Sequence, residues 1–309
     1  MMLSEQGNGS RTFSSNSTIS ETRAGDRAYE RFCTPHLSDR RAENHDALIE
    51  RSRKHLAHAD QRMVETRDGP VSTYVLEPDS NAGRTEPVKT VLIIHGWTCE
   101  ASFMSVIAES LRRSGFRVLL IDLPAHGLSP GTKTSIVACA RAVTDVIDAF
   151  GPIDFTVSHS LGGFVSLLAS AGGAAVKKAR PMSGYVFISM PNDFRDITTE
   201  FTDDLGLSKQ AAHQFETRLE VTAAYPLSEL TAERFLARID RPALLIHCED
   251  DDEIPVDCAY EVAASTELAQ LETVSGLGHR KILYASKVAR STARFLKQLS
   301  TTQDEQKAA

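Results

Sequence analysis

Val157-Ser158-His159-Ser160-Leu161-Gly162-Gly163 is flanked by apolar runs, Ile153 to Val157 before it and Phe164 to Ala171 after it. The first run has the length of a strand buried on both faces. The second has the small, apolar composition of a helix that packs closely. The pattern predicts a strand, a sharp turn and a helix, with Ser160 at the apex. A serine in that place lifts its hydroxyl above the end of the sheet. It sits beside N–H groups of the first helical turn that no intrahelical carbonyl uses. A hydroxyl so placed suits a nucleophile.

An alcohol at neutral pH is a weak nucleophile and needs a base, and the base needs a group to orient it. Downstream, Ala243-Leu244-Leu245-Ile246-His247 reads as a strand running into the acidic loop Cys248-Glu249-Asp250-Asp251-Asp252-Glu253-Ile254-Pro255. Gln270 to Val274 reads as a further short strand, followed by Gly276-Leu277-Gly278-His279-Arg280. Serine, acid and histidine thus follow in that order. Each lies just beyond the C-terminal end of a predicted strand, where open α/β sheets place their sites.

These residues, with His95-Gly96-Trp97 and the stretch Asp122-Leu123-Pro124-Ala125-His126-Gly127-Leu128-Ser129, resemble the α/β-hydrolase family, in its serine-nucleophile, esterase- and lipase-like branch. The resemblance runs from about Val64 to Leu299. It implies an α/β fold: a mostly parallel central sheet with helices on both faces and a small helical cap. It also implies roles. Ser160 matches the nucleophile, His279 the general base, and Asp251 the acid that orients the imidazole. The N–H groups of Trp97 and Leu161 match the oxyanion hole. Asp251 is preferred to Asp250 and Asp252 because Ile254-Pro255 follows it at the family's spacing. Two positions depart from the pattern: Ser158 stands where the family usually has glycine, and Cys248 where the acid loop often begins with glycine.

The bulk numbers fit this class. The chain has 309 residues, enough for one large α/β domain and a tail. A net charge of -7 disfavours nucleic acid as a main partner, and no apolar run reaches the roughly 20 residues of a membrane helix. The five cysteines are scattered and odd in number, without a Cys-x-x-Cys pair, which predicts reduced thiols. The N-terminus lacks the apolar core of a signal peptide, so the expected location is cytoplasmic. Residues 1–45 begin rich in serine, threonine, glycine and asparagine and are expected to form a disordered or poorly ordered polar tail. Residues 46–309 are expected to form the domain.

Asp68-Gly69 predicts a hairpin between Arg62 and Glu77. Thr90 to Ile94, Arg117 to Ile121 and Gly184 to Met190 read as buried strands. Ala101 to Arg113, Thr134 to Phe150 and Val256 to Ala264 read as helices, and Lys281 to Leu299 as a long closing helix with a frayed polar end over Ser300 to Ala309. Between about 191 and 240 the pattern turns helical, with Ser208 as a helix cap, and this insertion is expected to form the cap over the site. Trp97, Phe194 and Phe201 are the residues expected to line the substrate pocket. His95 and His126 are expected to shape their loops through hydrogen bonds, and the side chain of His159 to point away from Ser160.

A metal site built from His95, Asp122, His126, Asp251 and His279 has no ligand spacing to support it, so neither metal nor other cofactor is expected. The sequence therefore predicts a serine hydrolase that cleaves a small-molecule carboxylic ester through an acyl-enzyme. The same groups also suit amide, thioester or C–C bond hydrolysis. A reading from another class is a ligand-binding protein that keeps the fold without turnover. The chain length of the substrate and the oligomeric state are not encoded in any motif.

Overall fold

The computed structural model describes residues 12–37, 45–79 and 87–308. Eight strands form one sheet in the order β1-β2-β4-β3-β5-β6-β7-β8. The strands are β1 (Asp60–Val64), β2 (Val71–Leu76), β3 (Thr90–Ile94), β4 (Arg117–Ile121), β5 (Phe155–His159), β6 (Gly184–Ile188), β7 (Ala243–Cys248) and β8 (Ala269–Val274). β1 and β2 are the expected hairpin, and β2 runs antiparallel to β4. From β4 to β8 every pairing is parallel.

The chain order supplies the helices α1 (Thr12–Phe32), α2 (His45–His55), α3 (Ser105–Arg113), α4 (Ile136–Phe150), α5 (Gly162–Ala171), α6 (Phe194–Asp204), α7 (Lys209–Ala223), α8 (Ala232–Ile239), α9 (Asp257–Ser265), α10 (Gly278–Lys281) and α11 (Ser286–Ala308). The alternation of the strands sorts the core into two layers. Val91, Ile93, Val118 and Leu120 face α3 and α11, while Leu92, Ile94, Leu119 and Ile121 face α4 and α5. Both faces are thus covered, which is why β3 is an unbroken apolar run, fully buried. The long closing helix begins at Ser286, later than expected, because Gly278–Lys281 and a 3₁₀ turn over Ile282–Tyr284 intervene.

Two expectations at the ends are corrected. The disordered tail is replaced over the described part of residues 1–45 by α1, which packs along α7. Gly25 permits that approach, since a Cβ there would lie 2.7 Å from the Ala211 carbonyl oxygen and 2.7 Å from the Gln214 Cβ. Ala28 is buried in the same contact, and Arg218 of α7 lies 4.4 Å from the Tyr29 ring centroid and 2.8 Å from Asp26. Residues 1–11 and 38–44 lie outside the described residues. At the other end, the polar stretch expected to fray continues α11 to Ala308, consistent with the helix propensity of its Gln, Glu, Lys and Ala residues.

Between β6 and β7 the insertion is helical, as its periodicity indicates. Ser208 caps α7 through the Ala211 N–H at 3.2 Å, and Asp193 caps α6 through the Arg195 N–H at 2.8 Å. α6 and α7 pack on each other, with α1 along α7; α8 instead lies against α5 on a face of the sheet.

Candidate active site

β3 and β5 are neighbours, and the chain leaves β3 for β4 on one side of it while β5 lies on the other. That reversal opens a crevice at the C-terminal ends of the two strands. Gly96 and Trp97 follow β3 at this point, and Ser160 follows β5.

Ser160 has φ 51°, a left-handed conformation that a side chain adopts only when its surroundings hold it there. Its N–H donates to the Ile188 carbonyl at 2.9 Å, and its carbonyl accepts from the Gly163 N–H at 2.8 Å. Two glycines make room. A Cβ on Gly96 would fall 2.9 Å from the Ser160 Cβ, and one on Gly162 would fall 2.5 Å from the His95 carbonyl oxygen. Close helix–strand contact is therefore the reason for glycine after the turn. Ser158, the departure from the family pattern, is accommodated as a fully buried residue of β5 in register with Ile94 and Phe187. Among the described residues, neither the Trp97 nor the Leu161 N–H donates to another protein group. Leu161 directly follows Ser160, and Trp97 lines the same cavity as both.

The acid and histidine loops meet beyond β7 and β8. His279 Nδ1 lies 2.9 Å from Asp251 Oδ2 and 3.1 Å from Oδ1, and the Asp251 side chain is fully buried. Oδ1 of Asp251 also accepts from the N–H groups of Glu253 at 3.0 Å and Ile254 at 2.9 Å. Burial pushes the Asp251 carboxyl up, but the hydrogen bond and charge of His279 together with the Ile254 N–H outweigh it and hold it down at about 2. Asp250 does something else. It is exposed, and its Oδ1 accepts from the Gly276 N–H at 2.6 Å and the Cys248 thiol at 3.0 Å. Cys248 Sγ accepts in turn from the Gly278 N–H at 3.2 Å, so the second departure from the pattern ties the acid loop to the histidine loop. Arg280 and Glu253 add a two-pronged pair across the same two loops, at 2.7 and 3.1 Å.

His95, His126, His159 and His247 are also buried, and burial lowers the pKa of each. His95 bonds the Gly96 carbonyl at 2.7 Å through Nδ1 and accepts from the Leu123 N–H at 3.0 Å through Nε2, and His126 Nδ1 lies 2.9 Å from the Pro124 carbonyl. Both shape their loops as expected. Asp122 accepts from the Tyr74 hydroxyl and the N–H groups of Ala101 and Leu128, at 2.8 to 2.9 Å. The expectation for His159 is corrected: its ring does not leave the site. It is 1% exposed, its Nε2 lies 3.0 Å from the backbone carbonyl of His279, and the two rings are 4.7 Å apart. The ring lines the same cavity as Ser160.

Ser160 and His279 line one cavity of about 950 Å³, part of it open to solvent, together with Trp97, Leu161, Phe201 and Arg280. Trp97 and Phe201, two of the three residues expected to line a pocket, border this cavity. Phe194 lines a second, adjoining chamber. Sequence reasoning missed Arg31 and Phe32 of α1, which also line the first cavity. The signal for them was the stripe Gly25, Ala28, Tyr29 and Phe32, spaced as one helical face. The described residues hold no group of three or more His, Cys, Asp or Glu side chains placed to bind a metal ion, and no helix long and apolar enough to cross a membrane.

Residues 91–290 match the model of the alpha/beta hydrolase family. The chain is 25% identical over 241 residues to a pimeloyl-[acyl-carrier protein] methyl ester esterase of Xanthomonas oryzae pv. oryzae, covering 67% of this chain and 94% of that protein. It is 24% identical over 260 residues to a 2-hydroxy-6-oxononadienedioate/2-hydroxy-6-oxononatrienedioate hydrolase of Cupriavidus pinatubonensis, covering 71% and 88%. In fold it is similar to Est1E from Butyrivibrio proteoclasticus, solved with ferulic acid bound, at a TM-score of 0.61 and 17% identity, with 78% of this chain and 99% of that one superposed. With an eight-stranded, mostly parallel sheet and a family match over residues 91–290, the chain belongs to the alpha/beta hydrolase family.

Proposed function

We propose that the protein is a serine hydrolase that cleaves a small-molecule carboxylic ester through an acyl-enzyme, with Ser160, His279 and Asp251 as its triad. The observation that carries this reading is the 2.9 Å contact between His279 Nδ1 and the buried Asp251 carboxylate, on loops that bring His279 to the cavity lined by Ser160. A ring held through Nδ1 by a carboxylate carries its free lone pair on Nε2, the tautomer a general base needs.

In the first step the Ser160 hydroxyl oxygen bonds to the ester carbonyl carbon as Nε2 of His279 takes its proton. The carbonyl oxygen gains negative charge and is received by the N–H groups of Trp97 and Leu161. Collapse expels the alkoxide, which leaves with the proton from His279. Water then repeats the sequence on the acyl-enzyme, releasing the carboxylic acid and restoring Ser160. The esterase relatives support ester over amide as the bond cleaved.

A fluorophosphonate probe tests the reading directly. Labelling at Ser160, with hydrolysis of a panel of p-nitrophenyl esters abolished in Ser160→Ala, is the expected outcome. Labelling without activity on any ester favours an amide or thioester bond. No labelling favours a binding protein on the same fold.

A further inference from the structure

The catalytic cavity is not the only space beside Ser160. A second chamber of about 610 Å³ adjoins it, and the two share the side chains of Phe32, Trp97 and Leu161. The chamber runs between the cap and the sheet-covering helices, where Phe194, Val165 and Leu219 form part of its wall. Among the described residues no charged side chain lines it; its polar side-chain groups are the hydroxyls of Thr134, Ser135 and Thr222, the Cys33 and Cys139 thiols and the Trp97 indole N–H. Burial pushes both thiols up, to about 11 and about 12, so they are neutral too.

Phe32 forms the partition. It is the last residue of α1 and lies outside the 91–290 segment that carries the family match. Its ring stacks on Trp97 at 6.2 Å and 22° and meets Phe201, Phe215 and Phe194 edge-on at 5.0, 5.4 and 6.2 Å. Leu161 follows the nucleophile directly, and with Phe32 and Trp97 it lines both spaces, so these three side chains frame the border between the cavity of Ser160 and the second chamber.

We propose that Phe32 is a specificity-determining residue of this site: it frames the mouth of the second chamber and sets how much of an uncharged, apolar acyl chain that chamber receives. The inference rests on the esterase reading and adds the acyl class to it. An acyl group ending in a carboxylate fits poorly, because its charge would be buried without a partner. A straight alkyl chain gains with each methylene that enters, about fourfold in kcat/KM per buried CH₂.

The test compares p-nitrophenyl acetate, hexanoate and octanoate, and the p-nitrophenyl monoester of adipic acid, on the full chain and on Phe32→Leu, Phe32→Ala and Phe32→Trp. Circular dichroism and fluorophosphonate labelling at Ser160 are read on each protein. Phe32→Leu is a small change and keeps the comparison available should Phe32→Ala not fold. The expected result is that the wild type prefers hexanoate to the adipate monoester by about tenfold or more, as an unpaired buried charge requires. The octanoate-to-acetate ratio of kcat/KM should rise in Phe32→Leu and Phe32→Ala and fall in Phe32→Trp, each by about fourfold or more, the worth of one methylene. Folded, probe-reactive variants whose ratios all change by less than that overturn the role of Phe32. An adipate preference overturns the assignment of the chamber. A wild type that neither labels nor hydrolyses any ester overturns the esterase reading and this inference with it.

Discussion

The Nε2 atom of His159 lies 3.0 Å from the backbone carbonyl oxygen of His279, and the two rings sit 4.7 Å apart at 45°. A carbonyl only accepts, so Nε2 of His159 carries the proton and Nδ1 is an unprotonated acceptor. Burial first, and the neighbouring His279 second, push the His159 pKa well below the usual imidazole range, so the ring stays neutral. His159 is therefore a positioning residue, acting through the main chain of His279. His159→Leu removes the donor that holds that carbonyl. We expect kcat to fall about tenfold with KM little changed, and stability to fall by about 1–3 kcal/mol. His159→Gln, with an amide N–H at comparable reach, should recover part of kcat. Steady-state kinetics and urea unfolding on the two variants check this; equal kcat in Leu and Gln variants would deny the positioning role.

Substitution at the acid loop separates two adjacent carboxylates. Asp251 is fully buried and accepts from His279 and two backbone N–H groups, whereas Asp250 is exposed and holds the Gly276 turn. Asp251→Asn is expected to lower kcat by about 10⁴, and Ser160→Ala or His279→Ala by about 10⁶, with no further loss in the double variant. Asp250→Asn should cost less than about tenfold, because it weakens a hydrogen bond of about 1 kcal/mol away from the proton path. Kinetics on one ester decide it. A larger effect from Asp250 than from Asp251 would reassign the acid.

Acid stability should follow the buried histidines. Burial, with a smaller contribution from His95, depresses His126 to about 3, and burial also lowers His95, His159 and His247. A histidine depressed in the folded state contributes its stability above the unfolded value of about 6.5, and that contribution drains as pH falls toward the folded value. The window for His126 is thus about pH 6.5 down to 3, at roughly 1.4 kcal/mol per pH unit. Asp251, lowered to about 2, adds to the loss only below the carboxylate range near 3.9. Urea midpoints measured from pH 7.5 to 4.5 should fall with acidity. In His126→Gln the slope should be shallower by about one proton. Parallel slopes in the two proteins would remove His126 from the account.

Much of the fold and the loop positions were legible because both depend on local rules. Periodicity marks β3 and α4, and glycine marks the turn after Ser160. The loop carrying His279 follows a strand whose end can be read. Convergence of Asp251 on His279 was legible only through family resemblance, since nothing local aims one loop at another. The direction of the His159 side chain was misjudged because adjacent residues of a strand do point to opposite faces, but the turn at Ser160 breaks that alternation. α1 was missed for a different reason. Its composition is that of a solvated segment, and its order comes from a tertiary contact with α7 made by a narrow stripe, Gly25, Ala28, Tyr29 and Phe32, too sparse to stand out from its polar surroundings.

That contact makes Gly25 a sensitive position. Its absent Cβ leaves room for the Ala211 carbonyl and the Phe215 N–H, at 2.7 and 3.0 Å from where a Cβ would stand. Both obstacles are backbone, so a larger side chain must displace α1 as a unit. Displacement separates Phe32 from Trp97, Phe194, Phe201 and Phe215, ring contacts worth about 0.5–1.5 kcal/mol each beyond the area they bury. A few kcal/mol over a domain of this size corresponds to a fall in Tm of about 5–10 °C. Gly25→Leu should show that fall, together with new binding of a hydrophobic dye as the apolar cap face is uncovered, and a chain starting at residue 38 should behave in the same way. A Gly25→Leu protein with unchanged Tm and no dye binding would mean that α1 contributes nothing to covering the site.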